Sequence, residues 1–380
     1  MQKYWLWFAT LQGLTLRQKH KLLKRYPHPE DIYGLSDEEI FQAIASEPAA
    51  LERDLTQAEK ILNSCLSKGI DILPVGEDAY PLRLKEIGDA PIVLYYKGIW
   101  PDFEAAPMIG VVGTRKATTY GKNCASRLSK EITVCGGIVV SGGAEGVDTY
   151  ALQGALDGEG MPVAVLGCGV DIAYPPTNRR LFNQISQKGC LVSEYPPGTK
   201  PAPWQFPARN RIISGISNGI LVIEAPDKSG ALITAQLALE QGRDVMVVPG
   251  NIDVLTCAGS NRLLRDGAYP VISGWDAVSI YENAYSKVAK MESSIPKKEE
   301  PDKKVIDNSP LKPYHFLNDG ACALTNEECQ LLGCLTREPK LVDDVIAQMG
   351  LPAPTVLGMI TDLALRGIVI NHSGRRVSVK

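Results

Sequence analysis

Six short apolar segments, rich in β-branched residues, recur between residues 108 and 274. Each starts about 25 to 30 residues after the one before it, which is the length of a strand, a helix and two turns. Strands that are apolar along their whole length are buried on both faces of a sheet. The pattern therefore predicts an α/β fold with a parallel sheet covered by helices on both sides. The predicted strands are Ile109–Val112, Ile138–Val140, Val163–Leu166, Leu191–Val192, Ile220–Ile223 and Val245–Val248.

The segments that precede this repeat have a different character. Residues 1–67 contain helical leucine spacings broken by prolines, which predicts a small helical N-terminal domain. Within it, Gly13-Leu14-Thr15-Leu16 resembles a helix-hairpin-helix turn without its second glycine, so a plain packing role and a DNA-binding role both remain open. The apolar runs Ile70–Val75 and Ile92–Tyr96 are expected to add strands to the sheet domain, which we place at residues 69–285.

The part of the chain after the sheet domain divides in two. Residues 286–320 mix lysines, acidic residues and prolines, a composition that does not bury a core and predicts a flexible linker. Residues 321–380 predict a C-terminal winged helix, a fold that in other proteins binds either DNA or protein. Its predicted helices are Asn326–Thr336, Val342–Met349 and Pro354–Arg366, and its predicted strands are Ile368–Asn371 and Arg376–Val379.

The overall composition narrows the possible partners. A net charge of −3 and a pI near 5.9 exclude a broadly basic coat, so any nucleic-acid site must be a local concentration of positive charge. No apolar stretch approaches the roughly 18 residues that span a membrane, and no signal peptide is evident. The nine cysteines form no C-x-x-C pair, which indicates reduced core thiols and no metal site. We expect a cytoplasmic protein.

Ligands of open parallel sheets bind beyond the carboxyl ends of the strands. The first strand is followed by Gly113-Thr114-Arg115 and a predicted helix. Glycine lets the backbone approach an anion, a helix N-terminus offers free N–H groups, and arginine binds phosphate through two hydrogen bonds. The next two strand ends are also rich in small residues, which predicts further anion contacts. The candidates there are Ser141, Gly142, Gly143, Gly146, Gly167 and Gly169.

Two later loops add aromatic and cationic side chains. Trp204–Arg211 interleaves aromatic residues with arginines, a combination suited to stacking bases and neutralising phosphates. Lys228-Ser229-Gly230 then turns into another predicted helix. Several strands thus end in turns that contain glycine, serine or threonine, and two of these turns also contain a cation. Together they predict an anion-binding site at this edge of the sheet. The candidates in these loops are Phe206, Arg209, Arg211, Lys228, Ser229, Gly230 and Thr234.

The chemistry of a cofactor enzyme is not indicated. Neither G-x-G-x-x-G nor G-x-x-x-x-G-K-[ST] occurs, which disfavours a dinucleotide dehydrogenase or a P-loop ATPase. All four histidines lie outside the sheet domain, and no nucleophile–base pair stands out. Asp148 and Glu224 lie near the strand ends, where each is expected to cap or orient a loop. We therefore predict no catalytic residue and no cofactor.

The ordered motifs resemble those of the DNA-processing protein A family (DprA, also called Smf). The resemblance covers roughly residues 70–275. It rests on Tyr80-Pro81-Leu82, Pro91–Gly98, Gly113-Thr114-Arg115, Ser141–Asp148, Phe206–Gly215, Glu224-Ala225, Lys228–Ala235 and Val248-Pro249-Gly250.

This resemblance implies an extended Rossmann-like domain, dimeric in most members, that binds single-stranded DNA without sequence preference. It implies no catalysis. Family members load RecA-type recombinase onto incoming DNA during natural transformation. Many have a sterile-alpha-motif-like N-terminal domain, and some have a C-terminal winged helix. The family's basic pocket maps to Arg115 and Lys228, with Ser141, Gly142, Ser229 and Gly230 as its lining.

Two other functions compete with this prediction. The fold also resembles nucleotide phosphoribohydrolases, which are enzymes, but Asp227–Thr234 lacks their P-G-G-x-G-T-x-x-E pattern. A DNA-binding regulator acting through the winged helix is the other alternative. Its predicted recognition helix has Arg366 as its single cation and also contains Asp362, which is poor for phosphate contact.

Overall fold

The computed structural model describes residues 1–44, 51–288, 324–336, 338–372 and 376–379. The chain divides into two compact units, Met1–Ile295 and Pro296–Lys380. Of the predicted linker at residues 286–320, residues 286–288 are described and belong to the first unit. The rest of the linker lies outside the described residues. The domain boundaries at 67, 285 and 320 stay predictions.

Five helices open the first unit within its described residues. Helix α2 begins at a capping box, in which the Thr15 side chain accepts from Gln18 N and Gln18 Oε1 accepts from Thr15 N at 2.8 Å. Leu22 and Ile32 are fully buried and share a core with the sheet domain. The helices are α1 (Gln2–Thr10), α2 (Leu16–Arg25), α3 (Pro29–Gly34), α4 (Asp37–Ile44) and α5 (Thr56–Lys68).

A sheet of nine strands follows within the described residues of this unit. The strands are β1 (Asp71–Pro74), β2 (Val93–Gly98), β3 (Met108–Val112), β4 (Ile138–Ser141), β5 (Val163–Val165), β6 (Cys190–Ser193), β7 (Gly219–Val222), β8 (Asp244–Val247) and β9 (Tyr269–Pro270). Their order is β1-β2-β6-β5-β4-β3-β7-β8-β9. All pairs from β6 to β9 are parallel, and β1 and β2 extend the sheet in antiparallel pairing. The predicted α/β class and its parallel sheet are confirmed.

Helices cover both faces of the sheet. Met108 and Val112 of β3 join one core together with Ile212, whereas Ile109 and Val111 join the other core together with Leu128. This alternation is the two-residue period of a strand buried on both sides. The covering helices are α6 (Leu82–Lys85), α7 (Thr119–Val134), α8 (Val147–Asp157), α9 (Arg179–Lys188), α10 (Gln205–Ile216), α11 (Gly230–Glu240), α12 (Ala258–Arg265) and α13 (Gly274–Ser279).

Strand β3 is the point where the winding of the sheet reverses. Strands β4, β5 and β6 follow each other on one side of β3, and β7 and β8 follow on the other. Such a reversal leaves a crevice at the carboxyl ends of the strands on either side. The loops after β3, β4 and β7 therefore meet at one place.

The second unit contains the predicted winged helix, and this fold is confirmed. A third strand, β10, was missed from the sequence because it has two residues and no pattern of its own. Residues 373–375 of the predicted turn lie outside the described residues. The elements are α14 (Asn326–Cys334), β10 (Lys340–Leu341), α15 (Val342–Met349), α16 (Ala353–Leu365), β11 (Val369–His372) and β12 (Arg376–Val379), with sheet order β10-β12-β11.

No helix in the described part of the chain combines the length and the apolar character needed to cross a bilayer.

The contact between α7 and α8 depends on Gly154. A Cβ at this position would overlap the backbone carbonyl of Ser126 on α7. Alanine favours a helix over glycine by about 1 kcal/mol, but overpacking costs about 1 to 3 kcal/mol. We expect Gly154→Ala to lower the free energy of unfolding by up to about 2 kcal/mol in denaturant titration. Gly358→Ala in α16 is the control, because a Cβ added there would meet nothing within 4 Å. This exchange is expected to raise the free energy of unfolding. Equal effects of the two exchanges would contradict this account.

Candidate phosphate-binding pocket

The three loops at the reversal point are joined through backbone hydrogen bonds. Thr114 N donates to the Glu224 carbonyl at 2.7 Å, and Val147 N donates to the Thr114 carbonyl at 3.2 Å. The loop after β3 is thus tied to the end of β7 on one side and to the start of α8 on the other. Gly146 has a φ of +78°, and a Cβ there would overlap the carbonyls of Thr114 and Arg115. Only glycine fits that approach.

These loops enclose an open cavity of about 350 Å³, which we call the switch-point pocket. Arg115 and Lys228 are exposed at its edge, and neither forms an ion pair within the described residues. The N-terminus of α11 also opens into it, with Ser229 as the cap that accepts from Ala231 N at 3.2 Å. Two unpaired cations and a helix N-terminus make the pocket suitable for an anion.

Phe206 sets the position of Arg115. The Arg115 guanidinium lies 5.4 Å from the centre of the Phe206 ring, a cation–π distance. The Phe206 ring also packs against the Tyr174 ring, with the two ring centroids 5.5 Å apart. Phe206 is half-buried and lines the pocket, so it supports the arginine and also presents ring surface to a ligand.

Thr114 and Thr234 line the pocket, but their hydroxyls act mainly on the backbone. Thr114 Oγ1 accepts from Lys116 N at 3.2 Å, which shapes the turn after β3. Thr234 is 2% exposed and donates to the Gly230 carbonyl at 3.3 Å, which holds the first turn of α11. Gly113 and Gly230 also line the pocket as predicted.

Arg209 lines the floor of the pocket and not its edge. It is 4% exposed and donates to the carbonyls of Gly142 and Val165, at the ends of β4 and β5. Burial lowers the pKa of Arg209, and the nearby Asp148 carboxylate opposes that shift. The predicted direct phosphate contact is corrected, because the guanidinium is used to join two strand ends. Arg209 therefore positions the pocket floor.

Arg211 is a second correction. It is 7% exposed, lies outside the pocket, and forms a two-point ion pair with Glu194 at 2.6 and 3.0 Å. Asp89 adds a contact at 3.2 Å. Because its charge is balanced internally, Arg211 stabilises α10 against the loop after β6 and does not neutralise phosphate.

Six small residues predicted at the site lie outside the pocket lining: Ser141, Gly142, Gly143, Gly146, Gly167 and Gly169. Ser141 is fully buried and donates to the Val111 carbonyl at 2.7 Å. A Cβ at Gly142 would meet the Arg209 guanidinium, and one at Gly167 would meet the Phe206 ring. These positions are small because neighbouring groups pack against them, which corrects their assignment as phosphate contacts.

Two buried carboxylates organise the surrounding loops. Glu224 is 1% exposed and accepts from Thr118 N at 2.9 Å and Thr118 Oγ1 at 2.5 Å, which fixes the start of α7. Asp148 accepts from Ala144 N at 3.3 Å and faces Arg209 and Arg115. Both carboxylates cap or orient loops, as the sequence predicted.

Several pocket residues carry no sequence signal that would have identified them. The lining also includes Ala144, Pro203, Pro207, Asn210, Ile213, Pro226 and Ile233. Of these, Pro207 and Asn210 lie within the segment Trp204–Arg211 and Ala144 lies within Ser141–Asp148, whereas the rest are apolar residues typical of any loop or helix.

Asp148 makes stability depend on pH. Burial raises the pKa of Asp148 to about 6, whereas an unfolded aspartate has a pKa of about 3.9. The protonated form therefore favours folding, and this contribution is lost as pH rises through 6. About two pKa units correspond to something on the order of 3 kcal/mol.

Denaturant titration from pH 4 to 7.5 tests this with Asp148→Asn, whose amide oxygen still accepts from Ala144. The free energy of unfolding of the wild type relative to the variant should fall over this range. A constant difference would contradict the argument.

Comparison with known proteins places the chain in a family. A family model described as DNA recombination-mediator protein A matches residues 71–282. This chain belongs to the DNA recombination-mediator protein A family. The DprA winged helix model matches residues 318–375, within the second unit. The resemblance stated from the motifs is confirmed.

Relatives support the assignment over most of their length. The DNA processing protein DprA of Bacillus subtilis is 39% identical over 62% of this chain and 79% of its own length. The structure of DNA processing protein A from Streptococcus pneumoniae matches with a TM-score of 0.63 at 34% identity, covering 73% of this chain and 98% of that one. The Helicobacter pylori protein, studied for its unique single-stranded DNA binding mode, matches with a TM-score of 0.52 at 28% identity over 57% of this chain and 97% of its own.

Proposed function

We propose that this chain is a recombination mediator that binds single-stranded DNA in the switch-point pocket. The observation that carries the proposal is the meeting of Arg115, Lys228 and the N-terminus of α11 in one open pocket of a chain with net charge −3. Membership of the DNA recombination-mediator family and the DNA-binding mode of the H. pylori relative support it.

The pocket chemistry suits a DNA backbone. Arg115 and Lys228 bind phosphates, and the N–H groups of α11 at Ser229 and Gly230 add neutral donors. The half-buried ring of Phe206 offers a stacking surface that accepts any base. These contacts read no base edge, so binding is independent of sequence.

Truncation of either cation tests the pocket. Arg115→Ala or Lys228→Ala is expected to weaken binding of all single-stranded sequences alike, by roughly 3- to 30-fold. Each is also expected to flatten the plot of log affinity against log salt by about 0.7, because one phosphate contact is lost. Fluorescence anisotropy with homopolymeric and mixed oligonucleotides over a salt series measures both quantities.

Lys188→Ala is the matched control. Lys188 is exposed at the far end of α9, where the helix returns to the opposite edge of the sheet, so its loss should leave affinity and salt slope near the wild type. Unchanged binding in both pocket variants would exclude the pocket as the DNA site.

The cellular role follows from the family. We propose that the chain protects incoming DNA and loads a RecA-type recombinase during natural transformation, in the cytoplasm and as a homodimer. Recombinase ATPase activity on single strands coated with single-strand-binding protein is expected to start sooner when this protein is present. Arg115→Ala should remove the acceleration, and light scattering should give a dimer mass. No acceleration by the wild type would contradict the loading role.

The proposal assigns binding and no catalysis to the pocket. Asp148, which lines the pocket, and Glu224, which lies beside it, are both buried carboxylates engaged in contacts with loops. Release of free base from nucleoside monophosphates by the purified chain would contradict this and support the phosphoribohydrolase alternative.

A further inference from the structure

Helix α2 carries a one-sided charge. Its sequence, Leu-Arg-Gln-Lys-His-Lys-Leu-Leu-Lys-Arg, contains five lysines and arginines and no acidic residue. Lys19 points inward, is 4% exposed and donates to the Ala9 carbonyl at 2.8 Å. The other four cations are exposed: Arg17, Lys21, Lys24 and Arg25. Their spacing of i, i+4, i+7 and i+8 puts them on one side of the helix, which we call the α2 basic face.

The cations of this face are not balanced within the described residues. None of the four forms an ion pair there, although Lys21 donates to the Ile44 carbonyl at 3.0 Å. By contrast, Arg53 pairs with Asp37 at 2.7 Å, and Lys68 at the end of α5 pairs with Asp171 of the sheet domain at 2.6 Å. An exposed face with four cations and no ion pair among the described residues attracts a polyanion.

Helix stability does not explain the pattern. Arg17 stands in the first turn, where the helix dipole disfavours a cation, and Arg17 with Lys21 and Lys21 with Arg25 are like-charged pairs four residues apart. The helix is already fixed by its capping box at Thr15 and by fully buried Leu22. Lys24 and Arg25 stand in the last turn, where the dipole favours cations, but Arg17 and the two like-charged pairs oppose the helix, and none of the four is buried.

The α2 basic face lies within reach of the switch-point pocket. Arg17 lines a second cavity, of about 470 Å³, together with Leu237 and Gln241 at the C-terminal end of α11. The N-terminal end of the same helix borders the switch-point pocket. Helix α11 has 11 residues, so its axis spans about 16 Å from the switch-point pocket to the cavity that Arg17 lines. Glu86, Asp89 and Glu240 also line the second cavity, and these carboxylates exclude it as a place for phosphate.

We propose that the α2 basic face is a second contact for the single strand held in the switch-point pocket, binding its phosphates after the strand has left the pocket. The inference rests on the proposed function. A stacked strand rises about 3.4 Å per nucleotide, so about five nucleotides span the 16 Å between the regions. Only longer strands engage both regions.

The test compares strand lengths in the full chain. In Arg17→Ala/Lys24→Ala/Arg25→Ala three cations are lost, while alanine preserves the helix and Lys21 keeps its bond to Ile44. For an oligothymidylate of about 30 nucleotides, we expect roughly 10- to 100-fold weaker binding and a salt slope smaller by about 2. For one of about 4 nucleotides, which is too short to reach both regions, affinity should equal that of the wild type.

Two matched variants complete the experiment. Lys60→Ala/Lys130→Ala/Lys188→Ala removes the same charge from exposed lysines elsewhere and should bind both lengths like the wild type. Arg17→Lys/Lys24→Arg/Arg25→Lys keeps the charge and should also bind normally, which separates charge from folding. If the alanine variant binds the long strand like the wild type, the inference is overturned. This holds even if that variant fails to stimulate recombinase, because the α2 basic face would then contact a protein and not DNA.

Failure of the pocket and failure of this face are distinguishable. Arg115→Ala is expected to weaken both strand lengths, whereas the α2 alanine variant weakens only the long one. Equal losses for short and long strands in the α2 variant would overturn the proposed path. If Arg115→Ala binds normally while the length-dependent loss on α2 persists, the pocket assignment fails and the α2 contact stands.

Discussion

The buried guanidinium of Arg209 holds the candidate site together. It donates to backbone carbonyls at the ends of β4 and β5 and faces Asp148 at the start of α8. Leaving a buried charge unpaired costs several kcal/mol, so these groups hold one another in place. Helix α10, which carries Arg209 and Phe206, is thereby joined to the strand ends, and Phe206 in turn supports Arg115. The position of Arg115 at the pocket edge therefore depends on the buried guanidinium of Arg209.

The cations of the chain fall into two classes by their partners. Arg209 and Arg211 are satisfied by carbonyls and carboxylates inside the protein. Arg115 and Lys228 are exposed without ion pairs among the described residues. A chain with a small negative net charge thus contains both structural positive charge and exposed positive charge, and Arg115 and Lys228 bring the second kind together in one pocket.

The sequence predicted the fold well, because continuous apolar strands at regular spacing leave few alternatives to a parallel sheet. It also brought Arg115 and Lys228 to one edge of the sheet, because both lie in loops that follow strands and the carboxyl ends of parallel strands share one edge. It did not separate Arg209 and Arg211 from these two, because burial of α10 depends on tertiary packing that residue type does not encode. Gly142 and Gly167 were misassigned for a similar reason, since a glycine pressed by a neighbouring side chain and a glycine near a ligand look alike in sequence.

Glu224 has a mechanical consequence. Its carbonyl accepts from Thr114 N, and its carboxylate accepts from Thr118, so both ends of the turn that carries Arg115 are fastened to the end of a central strand. A pull on Arg115 is passed through these bonds to β7 and the interior of the sheet. If a polymer bound at Arg115 were under tension, the force would be transmitted to the sheet interior. The turn that carries Arg115 would then keep its conformation while the polymer is transferred.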